Sequence, residues 1–439
     1  MNLYGTSTVS EEGHLTIGGV DTVQLGKKFG TALYVYDVSM IREKARAFRS
    51  AFERGNINYQ VAYASKAFSC VAMIQLAEEE GLSLDVVSGG ELYTALQAGF
   101  PVERIHFHGN NKSEAEIRMA LDAEIGCFVV DNFYELSLLE QLSEEKGVRA
   151  NILLRITPGI EAHTHDYILT GQEDSKFGFD LQSGQVEEAI KSASEMKQIH
   201  LLGLHCHIGS QIFETTGFVM AIEKIYSYLS KWYESFGFGP EVLNLGGGFG
   251  IRYTSDDEPL PVEDYIEAMI KTVKSQLRTE MNMPEIWIEP GRSLVGEAGI
   301  TLYTVGSHKQ VPELRNYLAV DGGMSDNLRP ALYQAKYEAT IANRMYEPSD
   351  HLYSVAGKCC ESGDMIIWDC ELQRAIAGDT MAVFSTGAYG YSMANNYNRL
   401  PRPAVVFVEN GEASLVVRRE SYEDLIRHDL PLKQAIISK

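Results

Sequence analysis

From about residue 58 the chain repeats a two-part pattern, in which short, almost continuously apolar runs alternate with longer segments whose apolar residues recur at helical spacing. The short runs are YQVAYAS (59–65), SLDVVS (83–88), RIHFHG (104–109), CFVVDN (127–132), NILLRIT (151–157), LLGLHCH (201–207), VLNLGG (242–247) and IWIEP (286–290). Continuous apolarity marks strands covered on both faces, as in a parallel sheet. Segments such as SCVAMIQLAEEEG (69–81) carry the helical period, and Gly81 sits where a helix end needs a residue tolerant of the left-handed conformation. Eight strand–helix units predict a (β/α)8 barrel over residues 38–293. The alternative is an open, doubly wound sheet, but units of this number and size close more readily than they stay open.

After Leu294 the pattern changes. TLYTVGS, NYLAVDGG, HLYSVAG, DMIIWD, MAVFST and AVVFVENGEASLVVRRE read as strands without long helices between them. Within the last, Asn410-Gly411 between two apolar runs predicts a tight hairpin. TALYVYD (31–37) precedes the barrel strands and has no place among them, so it is expected to pair with the later strands. The expected second domain is therefore all-β and combines residues 1–37 with 294–439.

Charge narrows the partners. Lys plus Arg number 38 and Asp plus Glu 60, a formal charge of −22 that repels nucleic acid and anionic membrane surfaces. The first residues are polar, without an apolar signal region, and no apolar run reaches membrane-spanning length. The six cysteines fit neither a disulfide framework nor a CxxC zinc pattern, so a cytoplasmic protein is expected.

Barrel enzymes carry their chemistry on the loops that follow the strands, and here those loops are unusual: SKAFS, SGGE, HGNN, HIGSQ, GGGFG and EPGR. Lys66 stands just past an apolar strand with no acid beside it in sequence. A lysine there either reaches into solvent or is partly desolvated, with its pKa lowered and its amine freed to attack carbonyls. Gly246, Gly247 and Gly248 are either a plain turn or a cradle of backbone amides for phosphate. In HCHIGSQ, His205 and His207 alternate onto one face, but no third metal ligand is evident, so no metal is expected. An imidazole against a flat aromatic ligand, with Ser210 as hydroxyl donor, is more economical. WIEPGR ends its strand with Glu289, a tight Pro290-Gly291 turn and Arg292. Glu289 and Arg292 form either a surface ion pair or two binding groups. In the second case the carboxylate holds a heterocycle nitrogen protonated and the guanidinium is a fork for another carboxylate. Together these features describe a site for pyridoxal phosphate.

The motifs YASKAF, DVVSGGE, HCHIGSQ, GGGFG, EPGR, DGGMSDNLRPALY, GKCCESGD and GAYGYSMANNYN, spread over essentially the whole chain, resemble those of diaminopimelate decarboxylases. The resemblance implies an alanine-racemase-like barrel with a C-terminal β domain, a homodimer, and conversion of meso-diaminopimelate to L-lysine. It implies that Lys66 carries the pyridoxal, that His207 stacks on its ring, that Gly248 and its loop hold the phosphate and that Glu289 meets the ring nitrogen. Ser210, Pro290, Gly291, Arg292 and Tyr389 complete the cofactor site. Arg292, Arg329, Tyr333 and Tyr389 would bind substrate, with Cys360 and Glu361 reaching in from the second subunit. Gly357 and Gly363 bracket a turn able to project the Cys360 thiol, and a dimer interface would shield it from oxidation. A thiol is also a suitable acid for protonating a carbanion. An ornithine- or arginine-type decarboxylase usually has Asp where this chain has Glu361. A regulatory relative tends to lack the lysine or the cysteine, both present here, and a racemase does not account for CESGD.

Overall fold

The computed structural model describes residues 3–160 and 175–432; residues 1–2 and 433–439, expected to belong to the β domain, lie outside the described residues. The chain divides into two compact units, one spanning Ile41–Gly296 and the other joining the residues up to Met40 to those from Glu297 onward.

The first unit is a closed barrel. Its strands are β1 (Tyr59–Ala64), β2 (Ser83–Val86), β3 (Ile105–Phe107), β4 (Cys127–Val130), β5 (Ala150–Thr157), β6 (Ile199–Cys206), β7 (Val242–Asn244) and β8 (Glu285–Ile288). Each pairs in parallel with its neighbour. β8 pairs with β1, with Ile288 opposite Val61, and this closes the ring and rules out the open sheet. The helix after β1, Val71–Glu79, buries Met73, Ile74, Leu76 and Ala77. It ends as its sequence requires: Gly81 takes φ 70°, its N–H donates to Glu78 O and the Leu82 N–H donates to Ala77 O, each at 2.9 Å.

Side chains two residues apart on a strand share a face, and this period sorts the barrel interior into layers. Cys127, Val129, Leu153, Val242 and Trp287 form one apolar cluster. His106 stacks on Trp287 with ring centroids 4.2 Å apart and planes 7° from parallel. Burial holds His106 neutral, pushing its pKa down to about 3. Two residues further along β3 and β8 stand His108 and Glu289. The interior thus changes from apolar to ionisable in one step toward the mouth.

The second unit is β-rich. Gly299–Val311 pairs antiparallel with Leu33–Asp37, Arg315–Val320 and Thr380–Val383. Leu33–Asp37 also pairs in parallel with Ala404–Glu409. That strand turns back into Glu412–Val417 through Asn410 and Gly411, with φ 52° and 82°, the two positive angles a type I′ turn demands. Leu33, Val35, Ile300, Leu302, Ala382, Val406 and Val408 build its core. The all-β expectation misses a helix, Thr22–Phe29, started by Asp21, whose carboxylate accepts the Val23 and Gln24 amides. It also misses the short strand Ala339–Ile341 and the helix Arg329–Tyr333. No described helix is long and apolar enough to cross a membrane.

Candidate active site

At the centre of the barrel mouth lies the Glu289 carboxylate, only 7% exposed. Three strands bring groups to it. The Asn244 side-chain amide, from β7, donates to Oε1 at 2.7 Å. His108 Nε2, just past β3, lies 3.1 Å from the same oxygen. His205 Nε2, on β6, lies 3.2 Å from Oε2. Burial pushes the Glu289 carboxyl up, but the imidazoles of His108 and His205 together outweigh it and hold the group well below the usual carboxylate range. Burial lowers the His205 pKa, against the pull of Glu289. Asp85, from β2, lies 3.6 Å from His108 Nε2, and burial pushes its pKa up to about 6. His108, His205 and Glu289 bring their ligand atoms within 4.8 Å of one another. His207 is not part of this group, so the His205–His207 pair read from the sequence does not form it.

Lys66 lies in the short helical turn Ser65–Ala67 that follows β1. In the single chain Lys66 is exposed. It is not remote from acids: its charge acts on Asp85 and Glu91. β1 and β2 are neighbours in the barrel, which brings together acids and an amine that are separated along the chain. Glu91 Oε2 also joins the two loops, accepting from Ser65 Oγ and from the Val87 N–H, both at 2.8 Å. The Pro290–Gly291 turn packs on the lysine turn. Pro290 O accepts the Ala64 N–H at 3.2 Å, and a Cβ on Gly291 would lie 3.0 Å from Ala64 Cβ.

The glycine loop after β7 meets the loop after β6 backbone to backbone. A Cβ on Gly248 would lie 2.3 Å from Gly209 O, and one on Gly247 would lie 2.1 Å from Glu289 O. Gly246 and Gly248 have φ 68° and 101°, which other residues rarely adopt. The Gly247 N–H donates to His207 Nδ1 at 3.3 Å, which places the proton of a neutral imidazole on Nε2. Burial first, then the charges of Lys66 and Arg155, hold the His207 pKa well below its usual value. Arg292 is buried and donates to Ser210 Oγ at 2.9 Å and to Tyr253 Oη.

This donor set fits pyridoxal phosphate. It offers a glycine loop packed too closely on neighbouring backbone to admit side chains, a neutral imidazole beside it, an anionic carboxylate and an exposed amine. Asp85 Oδ1, close by, is buried with no hydrogen-bond partner among the described residues.

The other candidates belong to the second unit. Arg329 opens its helix, is buried, and donates to Tyr337 Oη at 2.6 Å. Tyr333 ends the same helix and is partly exposed. Tyr389 has φ 59° and is half-buried. Cys359 is buried, whereas Cys360 is exposed. Glu361 is exposed and its Oε1 accepts the Gly363 N–H at 3.3 Å. Asp85, His108, Asn244, Tyr253 and Tyr337 were not singled out from sequence. The available signal was a polar residue inside or just past an apolar strand, as in SLDVVS, RIHFHG and VLNLGG.

Residues 38–296 match the family described as pyridoxal-dependent decarboxylase, pyridoxal binding domain. The chain is 68% identical over 437 residues to the diaminopimelate decarboxylase of Halalkalibacterium halodurans, covering 99% of this chain and 100% of that protein. It is 67% identical over 437 residues to that of Bacillus subtilis, with the same coverage. Its structure resembles the crystal structure of diaminopimelate decarboxylase from M. jannaschii in co-complex with L-lysine. The TM-score is 0.92 at 37% identity, covering 98% of this chain and 99% of that one.

Asp326 gives a pH test of the second unit. Burial pushes its carboxyl up to about 7, although Tyr303 Oη and the Gly323 N–H both donate to it. In the window between the unfolded value near 4 and about 7 the folded state binds more protons, so ionisation destabilises it as pH rises. The urea midpoint of the wild type should therefore fall relative to that of Asp326→Asn between about pH 5 and pH 8. Parallel pH profiles for the two proteins would show that the group titrates normally.

Proposed function

The chain belongs to the diaminopimelate decarboxylase family, and we propose that it removes one α-carboxylate of meso-diaminopimelate, releasing carbon dioxide and L-lysine. The observation that carries this reading is the buried, ionised Glu289 at the barrel mouth, beside a glycine loop, with Lys66 exposed at the end of β1. The M. jannaschii relative was crystallised with L-lysine, the product proposed here.

Pyridoxal phosphate, when bound, supplies a protonated pyridine ring that accepts the electron pair left on the substrate carbon. In this reading Lys66 carries the pyridoxal, and Glu289 holds the ring nitrogen charged. His207 packs on the ring face. Gly248 and its loop, with Ser210 and the Pro290–Gly291 turn, hold the phosphate end, and Tyr389 reaches both cofactor and substrate. Residues 38–293 form the cofactor-binding domain, and residues 1–37 with 294–439 form the β domain. Arg292 and Arg329 take the distal carboxylate of the substrate, Tyr333 lines it, and Glu361 takes the distal ammonium. Cys360 gives a proton to the carbon that has lost its carboxylate. Its exposure in the single chain supports a site completed by a second subunit, with Cys360 and Glu361 of one chain serving the barrel of the other. The net charge of −22 supports a cytoplasmic enzyme without nucleic-acid or membrane partners.

Substrate choice follows from the arginines. Leaving a buried guanidinium without its anion costs roughly 2–5 kcal/mol, so ornithine, arginine and lysine, which lack the distal carboxylate, should be strongly rejected. Carbon dioxide release should be rapid from meso-diaminopimelate alone, whereas a comparable kcat/KM for ornithine would favour a diamine-precursor decarboxylase.

Sharing between subunits has a separate check. Cys360→Ala alone should lower the rate about 10²–10⁴-fold, as for other lost general acids. When inactive Lys66→Ala and Cys360→Ala proteins exchange subunits at equal mixing, activity should return toward about a quarter of wild type. Exchange without recovery would place Cys360 in its own chain's site or outside catalysis.

A further inference from the structure

The turn that carries Cys360 is held from two sides. On one side is Asp364, buried and wedged against two glycines. A Cβ on Gly357 would lie 2.2 Å from Asp364 Oδ2, and one on Gly323 would lie 2.4 Å from it. The two carboxylate oxygens accept from different segments: Oδ2 takes the Cys359 N–H at 2.7 Å, and Oδ1 takes the Met324 N–H at 2.6 Å. The Lys358 N–H donates to Gly322 O at 2.8 Å, a second tie between the same two segments. On the other side is Asn398, whose Oδ1 accepts the Cys360 N–H itself at 2.6 Å. The Asn395 N–H donates to Ser325 O at 2.8 Å. Three motifs, DGGMSDNLRPALY, GKCCESGD and GAYGYSMANNYN, therefore meet around one carboxylate and one side-chain amide. Gly323 and Gly357 leave room for that carboxylate, and the last asparagine of the third motif accepts the Cys360 N–H.

We propose that Asp364 and Asn398 are positioning residues that fix where the Cys360 thiol stands, by clamping the amides of Cys359 and Cys360 onto the segment leading to Arg329. The proposal rests on the reading of Cys360 as proton donor. A proton donor must stand within hydrogen-bond reach of its target, and a thiol on an exposed turn has no packing of its own to define its place.

Asp364→Asn keeps the shape but has one acceptor oxygen, so one clamped N–H faces an N–H2 group instead. kcat should fall about 10–10²-fold, as for a catalytic group displaced by about an ångström, while KM for meso-diaminopimelate changes less than about threefold. Asn398→Gly, on the exposed side, tolerates the φ of 53° at that position and should show the same split, and it carries the test if Asp364→Asn does not fold. The decisive readout is a double-mutant cycle. In a Cys360→Ala background neither substitution should lower kcat further, because the group they position is already gone. Wild-type kcat in both single variants, or losses that multiply with that of Cys360→Ala, would overturn the proposal. Full activity of Cys360→Ala alone would instead remove the reading of Cys360 as donor, an outcome separate from failure of the clamp.

Discussion

An ionised carboxylate can be buried only where several donors converge on it, because the lost hydration must be replaced by fixed partners. Glu289 meets that constraint with groups from β3, β6 and β7. These strands are separated along the chain and are brought to one point only by the ring. The carboxylate thus depends on closure through β8 and β1, and the rest of the mouth is arranged around it. The glycine loop after β7 is shaped by the same element, since Gly247 has no room for a side chain against Glu289 O. The Pro290–Gly291 turn that follows the carboxylate packs on the turn bearing Lys66. Charge at the centre, cradle on one side and amine on the rim are consequences of one strand end.

Much of this was legible in the sequence. Eight strands covered on both faces leave long apolar runs, and punctuated loops after them mark the functional end. Lys66, Glu289 and Arg292 stood out because each is a charged residue at the end of an apolar run. Asp85, His108 and Asn244 did not, although His108 helps hold Glu289 ionised and Asn244 donates to it. Each is a lone polar residue in or just past a strand, and its partner lies in another part of the chain: 181 residues separate His108 from Glu289, and 45 separate Asn244 from it. Only closure of the barrel makes them neighbours.

The second unit was less legible. Its strands and the Asn410-Gly411 turn follow from alternation and turn chemistry, but the helix Thr22–Phe29 is short and rests on a single capping carboxylate, Asp21. The order of the turn at Cys360 left no periodic mark. Side chains accepting backbone amides fix it, and such contacts require only an Asp and an Asn at the right points in space. The motifs around it are glycine-rich for a steric reason: the Asp364 carboxylate occupies the place where side chains at Gly323 and Gly357 would be.

The central claim is that the charge on Glu289, not merely its volume, drives the reaction. It is tested most directly by the turnover of meso-diaminopimelate in Glu289→Gln with pyridoxal phosphate bound. The amide keeps the size but carries no charge, so kcat should fall about 10²–10³-fold, as when a preorganised electrostatic partner is lost, with the cofactor still retained. A cofactor-loaded Glu289→Gln enzyme turning over within about a factor of two of wild type would contradict the claim.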